Sequence, residues 1–388
     1  MSQQTLNIFA PDQPFATDLR YVPLLLDRSG ERGALRRADE QTWASMRPLI
    51  AVTRWGAAPT HGSLKNRASE LLKAVETRPF YLDLADIAPS RLITVRGAKR
   101  RTLEVLHDEA ARKGLTFIPV ARPTDGPRRL EMVADAVAGH GRGVALRHGF
   151  GSRVKRTGEG PADRLLRTLE AVDTCPEDAD LLLDLRWLDP DSAPAASWLA
   201  RQIQALSAEA AWRTITLAGT CVPRSVSTIA DAADVGSTRR TEWSLWKEVE
   251  AATDVDLAYG DYAVQHPRVP STGGRAFGNL RYTAADDLYV SRGQQLHNMD
   301  AGDFADMCSR IVAGPFSGQT FSWGDEQIHS LAQRQRSRRL AIYDEPEDDF
   351  DEDVNGPSGH TFWREVGTSH HLKFVATQLA AHRAANRR

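Results

Sequence analysis

Cysteine is nearly absent: the chain of 388 residues has three, Cys175, Cys221 and Cys308, an odd number with no metal-like spacing. This argues against a disulfide framework and points to a reducing, cytoplasmic setting. Long apolar runs are missing too. No segment is long enough to span a bilayer, and Met1 to Asp18 lacks the basic start and apolar stretch of a secretory signal, so no membrane partner is expected. Neither sign of charge is in excess. The 49 Lys and Arg nearly balance 51 Asp and Glu, which leaves no overall field to draw the chain to nucleic acid or a membrane. Several catalytic signatures are also absent. There is no His-x-His or His-Glu-x-x-His spacing for a tight metal site, no lysine and serine after Gly273-Gly274 to complete a P-loop, and no Gly-x-Ser-x-Gly elbow. The sequence indicates no particular metal or cofactor.

What is present is a rhythm of eight short apolar runs, starting at Tyr21, Pro48, Pro79, Thr116, Gly143, Asp180, Trp212 and Val255. Continuous apolar runs alternating with amphipathic stretches are what parallel strands covered by helices look like, and eight such units predict an α/β fold, a (β/α)8 barrel of the TIM type. Helices are expected over 31–47, 63–76, 98–113, 126–138, 162–172, 194–209 and 241–252, with Pro194 in the first turn of its helix. Residues 1–19 read as an arm and 20–388 as one barrel domain. Within it, 261–365 reads as a long insertion after strand eight. It begins with a Gly- and Pro-rich loop, followed by a hairpin (279–283 with 288–292) and helices over 304–313 and 325–335. Between Asp344 and Asp353, eight of ten residues are Asp or Glu, the composition of a mobile loop. Ser369 to Ala384 then reads as the C-terminal helix that closes the barrel. Its neighbours His370 and His371 diverge by about 100° on a helix, so they do not share a metal; one is expected to pack or hydrogen-bond in the core. Trp243 and Trp246 are expected in the core as well.

Four stretches carry a resemblance: Tyr21-Val-Pro-Leu-Leu, Gly260-Asp-Tyr-Ala-Val-Gln-His-Pro267, Asn279-Leu-Arg-Tyr-Thr283 with Arg292-Gly293, and Trp363 through Gly367 to His370-His371. Together they resemble the beta protein family of tailed phages and bacterial genomes over nearly the whole chain. The resemblance implies a phage or prokaryotic setting and brings no reaction with it.

A barrel of this kind gathers the carboxyl ends of its strands at one mouth. The residues there are Asp83 and Asp86, Arg122, Arg147 with His148, Asp184 with Arg186, Thr220 after Gly219, and Asp261 with Tyr262 and His266 after Gly260. Arginine forks match phosphate or carboxylate oxygens, so Arg122, Arg147, His148, Arg186, Thr220 and Tyr262 are candidate ligand contacts, with Arg281 and Tyr282 reaching over from the hairpin as a lid. If Leu181, Leu183 and Leu185 face the helices, Asp184 and Arg186 face the interior. Asp83, Asp184 and Asp261 are candidate catalytic carboxylates, as general acid or base or around a divalent cation, and His266, oriented by Asp261, a proton shuttle. The competing reading is structural. The same charges would form salt bridges within the mouth, and His266 and Tyr262 would anchor the loop. The function expected is recognition of a phosphate-bearing ligand such as a nucleotide or nucleic-acid end, with phosphoester hydrolysis as the reaction that fits the charges. The alternative is a non-enzymatic module that engages a phage or host protein through the insertion.

Overall fold

Strands buried on both faces need apolar side chains on both, and this chain supplies them eight times over. The computed structural model describes residues 19–52, 59–84, 86–88, 90–150, 160–189, 193–268, 277–341 and 360–386, without the side chains of 335–341 and 360. The expected arm (except Leu19), the pair Gly273-Gly274 and the acidic run lie outside them. The first strand, β1 (Tyr21–Leu26), is followed by helices α1 (Ser29–Arg37) and α2 (Glu40–Ser45) and by β2 (Leu49–Ala51). Here one helix was expected over 31–47. Ala38 is extended, and the Asp39 carboxylate accepts the Thr42 N–H to start a second helix, so the segment breaks in two.

Helix α3 (His61–Val75) leads to β3 (Phe80–Asp83) and then to a hairpin, β4 (Leu92–Val95) with β5 (Ala98–Arg101), whose turn Arg96-Gly97 has positive φ at both residues. The hairpin takes the first residues of the stretch expected to be helical from Ala98, leaving α4 (Thr102–Arg112). The barrel continues through β6 (Phe117–Ala121), α5 (Pro127–His140), β7 (Val144–Gly149), α6 (Pro161–Ala171), β8 (Ala179–Trp187), α7 (Ala196–Glu209) and β9 (Thr214–Thr220). Pro194 precedes the extended N-cap Ala195, so it lies outside the first turn of α7 and not inside it as expected. A short strand β10 (Val235–Arg239), unforeseen in the sequence, comes before α8 (Thr241–Ala251) and β11 (Leu257–Asp261). The eight strands β1, β2, β3, β6, β7, β8, β9 and β11 are parallel neighbours in that order, and Tyr21 beside Tyr259 closes the ring.

After β11 come the expected hairpin, β12 (Phe277–Thr283) with β13 (Asp287–Gln295), and helices α9 (Ala301–Val312), α10 (Trp323–Ala341) and α11 (His360–Asn386). β10 adds an antiparallel third strand to β13. These elements enclose their own apolar cluster, which includes Leu280, Tyr282, Phe304, Met307, Ile311, Trp363 and Val366. Helix α11 packs along α1, and its His382 stands edge-on to Trp243 and Trp246 of α8, so it fills the gap between the first and last barrel helices. Trp243 and Trp246 are buried and stacked.

Strand alternation divides the barrel core into two shells. Leu24, Leu49, Tyr81, Ile118, Ala145, Leu182, Ala218 and Tyr262 fill the inside. Leu146, Leu181, Leu183, Leu185, Leu257 and Tyr259 face the helices. Which shell a strand-end residue joins decides whether it reaches the mouth.

Candidate functional site

Arg147 joins the two sides of the mouth. It follows Ala145 on the inner face of β7, and its Nη1 donates to Asp83 Oδ2 at 2.7 Å. Its Nη2 donates to Asp184 Oδ2 at 2.7 Å and to the Tyr262 hydroxyl at 2.6 Å, while Nε reaches the same Asp184 oxygen at 3.0 Å. The Tyr262 hydroxyl in turn donates to Asp184 at 2.6 Å. Burial, opposed by Arg147 and aided by Asp184, pushes that hydroxyl well above its ordinary pKa and keeps it a donor. Arg122 makes a second ion pair to Asp83, at 2.5 Å. Asp83 and Asp184 are each about 2% exposed, so this pairing is what makes their burial tolerable.

Above this network lies a cavity of about 360 Å³, walled on one side by Leu24, Leu49 and Val52 and on the other by Asp83, Asp86, Arg122, Arg147, Arg186, Tyr262 and Arg268. Arg186 enters it by a local distortion. The β8–β9 register shifts between Asp184 and Trp187, Arg186 has φ 61°, and its N–H is held by Asp184 Oδ1 at 2.9 Å. The same device recurs at Ala263, with φ 48° and its N–H on Asp261 Oδ1 at 2.9 Å. Left-handed backbone costs a residue with a Cβ on the order of 1 kcal/mol, and bulges at barrel rims re-aim side chains. The guanidinium of Arg186 has no hydrogen-bond or ion-pair partner among the described residues.

Six expected site residues lie elsewhere or do something else. Asp261 and His148 each have a neighbour, Tyr262 and Arg147, that takes the inner face, so alternation turns them outward. His148 packs edge-on to Phe150, and burial first, then Arg164, lowers its pKa. Asp261 accepts from the Tyr21 hydroxyl at 2.9 Å and from His371 Nε2 at 2.8 Å, behind the barrel wall. Burial by itself would raise its carboxyl, but His371, the Ala263 N–H and Arg240 hold it below its ordinary range. Burial lowers the pKa of His371 against the pull of Asp261, and its Nδ1 is hydrogen-bonded to Thr283 Oγ1 at 2.6 Å. The Asp261–His266 dyad therefore does not form. His266 sits at the rim, its Nδ1 accepting from the Arg268 N–H at 3.0 Å. No three His, Cys, Asp or Glu side chains are grouped to hold a metal among the described residues, so the expected cation between Asp83, Asp184 and Asp261 has no cage.

Thr220 secures the rim internally, accepting the Val222 N–H at 3.1 Å and donating to the Gln265 carbonyl at 3.4 Å. Arg281 does reach back, but its Nη1 donates to the Val264 carbonyl and clamps the loop after β11. Burial pulls its pKa down to about 10. Tyr282 is buried in the insertion, stacked on His370 at 3.8 Å with its hydroxyl on Asp325 at 2.6 Å. His370 completes that cluster through Asp325 at 2.9 Å and the Thr283 carbonyl at 2.8 Å. Both adjacent histidines of α11 thus serve buried networks that fasten the insertion to the barrel.

The sequence reading overlooked Arg268, although its place just after His266-Pro267 at the end of strand eight marks it as a rim residue. It also overlooked Asp180 at the opposite end of the barrel. Asp180 binds Arg213 at 2.6 Å, Tyr81 at 2.9 Å and Arg47 at 3.3 Å and plugs the floor.

The sequence model of the family described as Beta protein matches residues 21–377. No curated protein matches the chain. Among solved structures, it is similar to 2,3-dimethylmalate lyase, a member of the PEP mutase/isocitrate lyase superfamily, with 10% identity over 84% of this chain and 94% of that one and a TM-score of 0.36. It is also similar to the carboxyl transferase domain of Rhizobium etli pyruvate carboxylase (13% identity, 91% of this chain and 48% of that one, TM-score 0.33). A third is 3-hexulose-6-phosphate synthase (14% identity, 63% and 91%, TM-score 0.32).

Proposed function

The chain belongs to the Beta protein family, and from that premise and the charge of the barrel mouth we propose that it binds an anionic, phosphate-bearing ligand in the mouth cavity. The observation that carries this reading is the imbalance of the wall: Arg122, Arg147, Arg186 and Arg268 line it against Asp83 and Asp86. The pairing of Asp83 and Asp184 consumes Arg147 and part of Arg122, which leaves Arg186 and Arg268 for a ligand. Planar guanidinium forks suit phosphate oxygens, and a narrow polar cavity strengthens each charge-assisted hydrogen bond.

Hydrolysis of a phosphate ester is the reaction this wall would serve, with Asp83 beside the arginines as the carboxylate placed to take a proton from water. Recognition through the insertion is the weaker reading. Trp363 is buried against Phe304 within the insertion's own cluster, and Trp323 packs on Phe362 there, so neither closes the mouth. All three cysteines are free, one of them exposed, which supports a reducing compartment, and no described helix is long and apolar enough to cross a membrane.

The test is calorimetric titration with pyrophosphate, sugar phosphates and nucleotides, alongside a phosphate-release assay on their esters. A bound phosphate ligand whose affinity falls about 10- to 100-fold in Arg186→Ala supports the reading. Binding that ignores Arg186→Ala, or no binding by any phosphate compound, overturns it.

A further inference from the structure

Trp187 is one of three large apolar side chains exposed among the described residues, with 41% of its surface in solvent. It ends strand β8 at the mouth, just beyond the distorted Arg186, and its ring centroid lies 6.5 Å from that of His266, the planes tilted by 47°. Each of the two aromatic residues adjoins the cavity wall in sequence, since Arg186 precedes Trp187 and Pro267 and Arg268 follow His266. Burial, then the positive charges of Arg268, Arg186 and Arg224, depresses the protonation of His266 and leaves a neutral, flat ring beside the indole. The rim thus places two aromatic faces beside a cluster of guanidinium groups.

Inorganic phosphate has no use for such a surface. A nucleobase does, because every base has a π-face that stacks on an aromatic ring, and arginine adds cation–π and phosphate contacts nearby. We propose that the mouth recognises a nucleotide unit, the base stacked on the Trp187 indole beside His266 and the 5′-phosphate held by Arg186 and Arg268. This rests on the phosphate reading given above and narrows it to ligands that carry a base. A free nucleotide and the 5′-phosphorylated end of a single strand share this chemistry.

Calorimetric titrations of the full chain with ribose 5-phosphate, AMP, UMP and 5′-phosphorylated tetrathymidylate test it. AMP and UMP are expected to bind about 5- to 150-fold more tightly than ribose 5-phosphate. Trp187→Ala is expected to erase that advantage while leaving ribose 5-phosphate affinity unchanged, and Trp187→Phe to keep most of it. Binding of the tetranucleotide at least about 10-fold tighter than the mononucleotides assigns a strand end; equal affinity assigns a free nucleotide. The base assignment is overturned, with the phosphate reading intact, if ribose 5-phosphate binds as well as AMP and UMP or if Trp187→Ala weakens all of them equally. If none of the four compounds binds while pyrophosphate does, the base assignment falls and the phosphate reading stands; if pyrophosphate also fails to bind, both fall.

Discussion

Replacing Arg147 by Met removes the charge that joins Asp83 to Asp184 while keeping most of the side chain's volume. The guanidinium is 11% exposed and makes hydrogen bonds to both carboxylates and to Tyr262. Removing one member of a buried ion pair costs about 3–5 kcal/mol, because the remaining charge stays desolvated. Here the lower end applies. Asp83 keeps Arg122 at 2.5 Å and Asp184 keeps the Tyr262 hydroxyl at 2.6 Å. A loss of about 3 kcal/mol, against an unfolding entropy of about 2.1 cal/mol/K for each of the 388 residues, lowers Tm by about 4 °C. Thermal unfolding followed by circular dichroism measures it. The double variant Arg147→Met with Asp184→Asn should recover part of the loss, because the stranded charge is then gone, with a coupling of about 1–3 kcal/mol. A single variant as stable as the parent, or a double variant that is strictly additive, refutes the view that Arg147 holds these two carboxylates in place.

Asp261→Asn should lower Tm by about 2–4 °C, since three buried hydrogen bonds to a charged acceptor are weakened, yet leave affinity for a mouth ligand within about twofold. A large loss of affinity with unchanged stability would return Asp261 to the site. His107 stacks on Phe117 at 5.4 Å, and burial lowers its pKa to about 4 against about 6.5 in the unfolded chain. The folded state therefore binds fewer protons across that window, and stability present above pH 6.5 is lost as the pH falls toward 4. His107→Phe should remove about 1 kcal/mol of the stability lost between pH 7.5 and 5.5, and an unchanged pH slope would contradict the assignment.

The barrel was legible because two-sided burial leaves an unbroken apolar run, and every run overlaps its strand, with only β7, β8 and β9 reaching beyond theirs, by no more than one residue at either end. The hairpin of β12 and β13 was legible for the same kind of reason, two short strand-like runs joined by Ala-Ala-Asp-Asp. Strand ends were harder. Arg147-His148 and Asp261-Tyr262 are adjacent pairs, and a pleated strand can turn only one of each inward. Leu146 and Tyr259 in the outer shell set the phase that sends His148 and Asp261 out with them. The partners of buried charges were not legible at all. His371 meets Asp261 from 110 residues away and Asp180 meets Arg47 from 133, contacts that only the closed ring creates. β10 was missed because its ladder partner, β13, lies in the insertion.

The most direct measurement is a crystal soaked in tungstate, a phosphate-like oxyanion located by its anomalous scattering. An ordered peak among Arg122, Arg186 and Arg268, lost in Arg186→Ala crystals, is the predicted result. Full occupancy elsewhere on the protein with an empty mouth would contradict an anion site there.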